Sequence, residues 1–116
     1  MTAGQHDIVI EQGATFRLSL IWKDSTGALV DLTSYTARMQ VRQRHTSTTA
    51  ALSLTSIAGD IILGGAAGTI AVVAAATATD DITFRQGVYD LELVASTGEV
   101  TRLIEGAVTI TPEVTR

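Results

Sequence analysis

Hydrophobic and polar residues alternate with a period of two along several stretches of this chain. The first stretch runs over residues 15–23, and its apolar row consists of Phe16, Leu18, Leu20 and Trp22. Successive side chains of a β-strand point to opposite faces of a sheet. This stretch therefore predicts a strand with one buried face and one face in water. Residues 24–27, Asp-Ser-Thr-Gly, predict the turn that follows it.

The same alternation returns in two later stretches. The apolar rows there are Tyr35, Ala37, Met39 and Val41 in the one, and Tyr89, Leu91, Leu93 and Ala95 in the other. Residues 61–63 and 69–74 predict a hairpin across the glycine-rich turn at residues 64–68. Residues 51–55 predict a further short strand.

Three segments depart from simple alternation. Residues 43–50 are polar and rich in Ser and Thr, which predicts a mobile loop. Residues 75–82 are rich in alanine and predict one short helical turn. Residues 100–111 are long for one strand, and the pair Glu105 and Gly106 predicts a β-bulge in its middle.

Seven or eight short strands, with turns every eight to twelve residues, fit an antiparallel β-sandwich. The chain has 116 residues, which is enough for one core and short for two. We therefore predict an all-β fold in which residues 1–116 form a single antiparallel β-sandwich domain with one short helical turn.

Composition excludes several classes of site and partner. The chain has no cysteine, two histidines 39 positions apart and a net charge of −4, with Lys23 as its one lysine. Cysteine-based metal sites are excluded, and we expect no metal, no cofactor and no nucleic-acid partner. The uncharged stretch at residues 61–79 contains three glycines and does not predict a membrane span. The polar start lacks the features of a secretory signal, so we expect synthesis in the cytoplasm.

The carboxylates offer the one candidate for catalysis. Asp90 and Glu92 share a face of a predicted strand at about 7 Å, but this face alternates with Tyr and Leu and should be in water. A catalytic acid must be desolvated to change its pKa. Asp80 and Asp81, with Asp60 upstream, lack the spacing of a calcium loop. We therefore expect no catalytic residue and no enzymatic activity.

Interaction surfaces are the more promising candidates. Arg38, Arg42 and Arg44 form the one basic cluster, which could dock an acidic partner or could be a solvated polar row. Candidate loop contacts are Thr46, Ser47, Gly64 and Gly65. Rows of Thr, Ser and Gln with few charges leave strand edges open to another subunit. The pattern favours an assembly module over an enzyme.

Five segments of the chain resemble small virion structural proteins of tailed bacteriophages. They are residues 11–16 (EQGATF), 22–27 (WKDSTG), 30–42 (VDLTSYTARMQVR), 87–93 (GVYDLEL) and 100–110 (VTRLIEGAVTI). Ser34 stands where the family usually has glycine, and residues 46–78 carry no motif of the family. The motifs record turns and core rows, and the resemblance brings over no catalytic residue.

The resemblance implies an immunoglobulin-like sandwich that bridges or attaches subunits in the tail, baseplate or fibre region of a virion. It implies location in the virion, after assembly in the host cytoplasm. Its partners would be other virion proteins and copies of itself, with no membrane involved. The alternatives are a capsid decoration or cement protein, a freestanding adhesin-type module that binds through the loops around Thr46 and Gly65, and a small hydrolase or lyase that uses the carboxylates.

Overall fold

Nine strands and one short α-helix form in the part of the chain that the computed structural model describes, residues 3–115. The strands are β1 (Gly4–Gln5), β2 (Ile8–Glu11), β3 (Phe16–Ile21), β4 (Thr36–Arg42), β5 (Leu52–Thr55), β6 (Ile61–Leu63), β7 (Thr69–Ala74), β8 (Gln86–Val94) and β9 (Val100–Thr111). The helix α1 spans Ala76–Thr79, and a single 3-10 turn at Gly65–Ala67 joins β6 to β7.

The strands form two sheets. The larger sheet has the order β1-β9-β8-β4-β5, and β2 pairs with β9 beside β1. The smaller sheet has the order β3-β7-β6. Between β2 and β8 the chain passes from one sheet to the other at four connections, which are those before β3, β4, β6 and β8. Both sheets therefore draw on segments that are distant in sequence.

The core lies between the two sheets and is made from the alternating apolar rows. Its fully buried members include Ile10, Met39, Val41, Ile70, Val72, Leu91, Leu93 and Val108. Burial of such side chains stabilises a fold by about 1.5–3 kcal/mol each. The alternation predicted for β3, β4 and β8 is confirmed, as are the hairpin of β6 and β7 and the helical turn α1.

The all-β prediction is confirmed, but the strand count and the pairing differ from expectation. The structure has nine strands rather than seven or eight, and the additional ones include β1 and β2, which the alternation did not indicate. Both pair parallel with β9, so the prediction of a purely antiparallel fold was wrong. Strand β1 has only two residues, and β2 reads Ile-Val-Ile, with an apolar residue at its exposed position, so neither shows alternation in the sequence.

The β-bulge of β9 occurs earlier than predicted. Leu91 pairs with Ile104 and Glu92 pairs with Arg102, so Leu103 is the extra residue. Gly106 has another role: a Cβ atom there would collide with the carbonyl oxygen of His6. The glycine is required because the N-terminal strand passes close above β9, and the predicted bulge at Glu105 and Gly106 was wrong.

Thr79 is the buried polar residue that joins α1 to the turn between β2 and β3. Its Oγ1 atom donates a hydrogen bond to the Ala14 carbonyl at 2.8 Å and accepts one from the Gly13 amide at 3.1 Å. The side chain has no exposed surface. Losing its hydroxyl would leave these two partly buried backbone groups without their partner, which costs about 1–3 kcal/mol in all because water can still reach them in part.

We expect Thr79→Val to lower the free energy of unfolding by about 1–3 kcal/mol, because it keeps the shape of the side chain and removes both hydrogen bonds. Urea denaturation followed by circular dichroism measures the change. Thr77→Val, at an exposed position of the same helix, is the matched control and should change stability by less than about 0.5 kcal/mol. Equal effects of the two variants would contradict this role of Thr79.

Candidate interaction surfaces

A ladder of charged side chains crosses the outer face of the larger sheet. Arg38 on β4 contacts Glu92 on β8, with 2.8 Å between Nε and Oε1. Arg102 on β9 lies 3.5 Å from Asp90 and 3.3 Å from Glu105. Cross-strand register places these residues side by side, since Arg38, Glu92 and Arg102 are direct neighbours in the sheet. The charges of this face are therefore largely compensated within the chain.

Partial burial raises the pKa of the Asp90 carboxyl group above its ordinary value. The neighbouring Glu92 and Glu105 carboxylates act in the same direction, and Arg102 and Arg38 oppose them. Asp90 and Glu92 thus share an arginine pair on an open sheet face. The arrangement explains the two carboxylates as members of an ion-pair network.

The basic cluster predicted from the sequence is divided between two structural roles. Arg38 and Arg42 lie on one face of β4, as expected, but Arg38 is paired with Glu92. Arg42 donates to the Ser47 carbonyl at 2.9 Å and to Gln40 Oε1 at 2.9 Å, and so shapes the loop after β4. Arg44 lies exposed within that loop, which leaves it the most accessible cation of the three.

The predicted loop contacts lie at opposite ends of the sandwich. Ser47, beside Thr46, is bonded to Arg42 at the end of β4. The carbonyl of Gly65, beside Gly64, accepts a hydrogen bond at 2.9 Å from Leu32, which precedes the start of β4. Seven residues of strand separate the two ends by about 20 Å. The two loops are therefore about one strand length apart, and a ligand that contacted both would have to span that distance.

Loop residues 43–50 contain internal hydrogen bonds. The Ser47 hydroxyl accepts from the Arg44 amide at 3.1 Å, and the Ser47 amide donates to the Arg44 carbonyl at 3.0 Å. Thr46 lies exposed at the tip of this turn. The mobility of loop residues 43–50 stays a prediction, as does a contact with a partner through Thr46.

Two aromatic side chains pack together at the other end of the molecule. The rings of Trp22 and Tyr35 meet edge to face, with centroids 5.9 Å apart and planes at 85°. Both rings pack against the core while remaining partly exposed. Beside them, Asp24 accepts hydrogen bonds from Thr26, and Asp31 accepts them from Thr33. These hydroxyl donors lower the pKa of each aspartate, because they favour the charged form.

The outer face of the smaller sheet is largely apolar, a feature that the sequence analysis missed. Its polar members are Arg17, Ser19 and Thr69. We define the apolar face by Ile21 on β3, Ala71 and Val73 on β7, and Ile62 on β6. Ile21 is 58% exposed and Ile62 is 62% exposed. Ser19, Ala71 and Ile62 form one cross-strand row through its centre. The one charged residue in these three strands is Arg17.

The N-terminal strand is fixed to β8 and β9 by two side chains. The Tyr89 hydroxyl donates a hydrogen bond to the His6 carbonyl, and the Asp7 carboxylate accepts one from the Ala107 amide at 3.0 Å. Burial is the main cause that raises the pKa of Tyr89 from 10.0 to about 12, and the negative charge of Asp7 adds to it. The phenol is therefore held in its neutral, donating form.

Within residues 3–115, no group of three or more His, Asp or Glu side chains is placed to hold a metal ion. In the same range, no helix is long and apolar enough to cross a membrane.

Comparison with known proteins returns no match. A scan against protein-family models finds no family that matches the chain, and a search of the curated proteins finds no relative.

We expect the protein to lose stability as the pH rises from 10 to about 12. In this range the unfolded chain releases the Tyr89 proton while the folded chain retains it, so the unfolded state binds fewer protons and stability falls with pH. Tyr89→Phe should lower stability by about 1 kcal/mol at pH 8, because the hydrogen bond is lost, and should show a weaker decline above pH 10.

Urea denaturation of both proteins across this pH range measures the difference. Tyr35→Phe, which changes the other tyrosine, is the control and should keep the steep decline of the unchanged protein. Parallel pH profiles for the unchanged protein and Tyr89→Phe would contradict the role of Tyr89.

Proposed function

We propose that this chain is a non-enzymatic structural protein of a tailed bacteriophage virion, which attaches or bridges subunits in the tail, baseplate or fibre region. The observation that carries the proposal is the apolar face. Large exposed apolar side chains on a nearly uncharged sheet are typical of a surface that contacts another protein. Ile21 and Ile62 lie on either side of β7 on this face, and each is more than half exposed.

We infer further that the sandwich is immunoglobulin-like. In that fold the chain alternates between two sheets through connections that cross the ends of the sandwich. The order β9-β8-β4-β5 opposite β3-β7-β6 follows this pattern, and the short helix α1 stands before β8. Tyr89 near the start of β8 bonds to the backbone of the N-terminal strand. This contact differs from the tyrosine corner of immunoglobulin-like domains, in which the hydroxyl bonds to backbone a few residues upstream.

The motif residues that carry the phage resemblance have structural roles that fit it. Ser34 adopts a φ of 71°, in the left-handed region that favours glycine, and it stands where the family usually has glycine. Gly13, within the first motif, has a φ of 80° at the turn into β3. The Asp24 carboxylate accepts hydrogen bonds from the Thr26 and Ala28 amides and so stabilises the turn after β3. These turn positions support a fold shared with the phage proteins. They say nothing about which residues contact a partner.

Capsid decoration remains the alternative within the same class. The apolar face would serve a capsid lattice as well as a tail ring, since both present repeated protein surfaces. Position in the particle distinguishes the two, and the experiment below locates it. An adhesin that used both predicted loops would need a ligand that spans the length of β4, because the loops lie at its opposite ends.

Mass spectrometry of purified phage particles tests the proposal. We expect the chain to be present in many copies, and separated tail and capsid fractions should show it in the tails. Recovery in capsids alone would favour the decoration alternative. Complete absence from the particles would overturn the virion assignment.

Substitutions on the apolar face test the surface that carries the proposal. We expect Ile62→Lys to leave the fold intact, because the side chain is exposed, and to lower incorporation into particles by about tenfold or more. Val100→Lys is the matched control: Val100 is 46% exposed on the larger sheet and should accept lysine without loss of incorporation. Equal incorporation of both variants would show that the apolar face is not the contact.

A further inference from the structure

Strand β3 has one side without a neighbour. It pairs with β7 alone, and the Trp22 amide donates to the Gly68 carbonyl at 2.9 Å just beyond the strand. In an antiparallel pair, every second residue of a strand directs its amide and carbonyl groups to the partner strand. Because Trp22 does so toward Gly68, the even-numbered residues of β3 form the backbone hydrogen bonds to β7. The amide and carbonyl groups of Arg17, Ser19 and Ile21 therefore point away from the sheet. Among residues 3–115, no other strand pairs with this edge.

The other edges offer less. On β5 the outward groups of Thr55 are both occupied, since its amide donates to Asp60 Oδ2 at 3.3 Å and its carbonyl accepts from the Asp60 amide at 3.1 Å. Only Ser53 remains open there. β6 has three residues, and β2 has four and ends at the charged Glu11. β3, with six residues, is the longest uninterrupted strand at an open edge among residues 3–115, because the edge formed by β1 and β2 is broken at His6 and Asp7.

Side chains beside the open edge are incompletely covered. Leu18 and Leu20 point toward the core, yet both remain only half-buried. An apolar depression next to them is lined by Leu20, Ile21 and Ile70, among others. A strand added to this edge would satisfy the outward backbone groups and cover the two leucines together.

We propose that β3 pairs with β3 of a second copy of this chain, antiparallel, about a twofold axis at Ser19. The pairing deepens the proposed function and rests on it for its setting, because it specifies one self-contact of a virion subunit. It would join the two smaller sheets into one six-stranded sheet and make the two apolar faces continuous. An isologous contact of this kind needs a self-complementary edge.

Length selects this register. With Ser19 opposite Ser19, Arg17 stands opposite Ile21 of the second copy, and the whole stretch from Phe16 to Trp22 is paired. A shift by one pair in one direction would place Arg17 directly opposite Lys23, and like charges in opposite positions are destabilising. A shift in the other direction would place Trp22 opposite Ala14, outside the extended stretch. In the Ser19 register Arg17 and Lys23 of the second copy are diagonal neighbours only.

The contact is small, and we expect a dissociation constant in the micromolar range. Analytical ultracentrifugation of the purified chain should therefore show a concentration-dependent shift from the mass of one chain to twice that mass. A chain that remains monomeric up to about 1 mM would overturn the proposal. This outcome leaves the virion assignment intact, since incorporation into particles is measured separately.

Single cysteines test the edge, because the chain contains none of its own. We expect Ser19→Cys to form a disulfide-linked dimer under mild oxidation, since directly paired residues of this type have Cα atoms about 5.5 Å apart. Ser53→Cys, an exposed serine on the edge strand β5, is the matched control and should remain largely uncrosslinked. Crosslinking of Ser53→Cys alone would overturn the choice of β3.

The register is tested by mixing variants. Arg17→Cys mixed with Ile21→Cys should crosslink, whereas each variant by itself should not, because its two cysteines would lie four residues apart along the ladder. Crosslinking of Arg17→Cys with itself would overturn the Ser19 register.

A proline variant tests the hydrogen bonds. The Ser19 amide points outward, so Ser19→Pro removes a bond to the second copy and none to β7. We expect self-association at least about tenfold weaker, while Ser53→Pro on β5 leaves it unchanged. Circular dichroism confirms that each variant is folded. Undiminished association of folded Ser19→Pro would overturn the proposal, and the cysteine variants test it if Ser19→Pro does not fold.

Discussion

Parallel pairing of the N-terminal strand with the C-terminal strand is the constraint on which the surfaces of this protein depend. β2 places Ile8 and Ile10 in the core beside Val108 and Ile110 of β9. Tyr89 and Asp7 hold the segment in place, and Gly106 provides the space for it. Because β2 pairs within the larger sheet, no strand among residues 3–115 covers the free edge of β3.

The two outer faces of the sandwich differ because their charges are distributed unequally. On the larger sheet Arg38 and Arg102 form ion pairs with Glu92, Asp90 and Glu105, so this face is polar and its charges are largely compensated. The smaller sheet carries Arg17 as its one charge and exposes isoleucines instead. Exposed apolar area contributes to association when it is removed from water, whereas exposed ion pairs contribute little. The smaller sheet is therefore the better contact surface.

Much of the fold could be predicted from alternation, because β3, β4 and β8 each turn one row of apolar side chains toward the core. β1 and β2 could not, since β1 has two residues and β2 carries the apolar Val9 on its exposed side, so that pairing with β9 defines both. The position of the bulge at Leu103 was equally inaccessible, because it depends on the register between two strands. Glycine at position 106 is explained by the close approach of the His6 backbone and does not mark a bulge.

The candidate surfaces were less predictable than the fold. Arg38 and Arg42 were placed correctly on one face, but their partners Glu92 and Ser47 come from other parts of the chain. Ile21 belongs to the row that the pattern assigned to water. Its exposure marks a surface only because Ile62 and Ala71 arrive beside it from a distant hairpin. Which residues share a face depends on how the chain crosses between the sheets.

The unequal edges of the smaller sheet limit how far it can grow. One margin is β3, with six residues, and the other is β6, with three. When two copies use the same long margin, each presents only its short one to further chains. Such an assembly is closed at two members, unlike a head-to-tail contact, which can extend into a filament. The difference in strand length therefore allows a pair of chains to form and disfavours the open-ended addition of further chains that produces fibres.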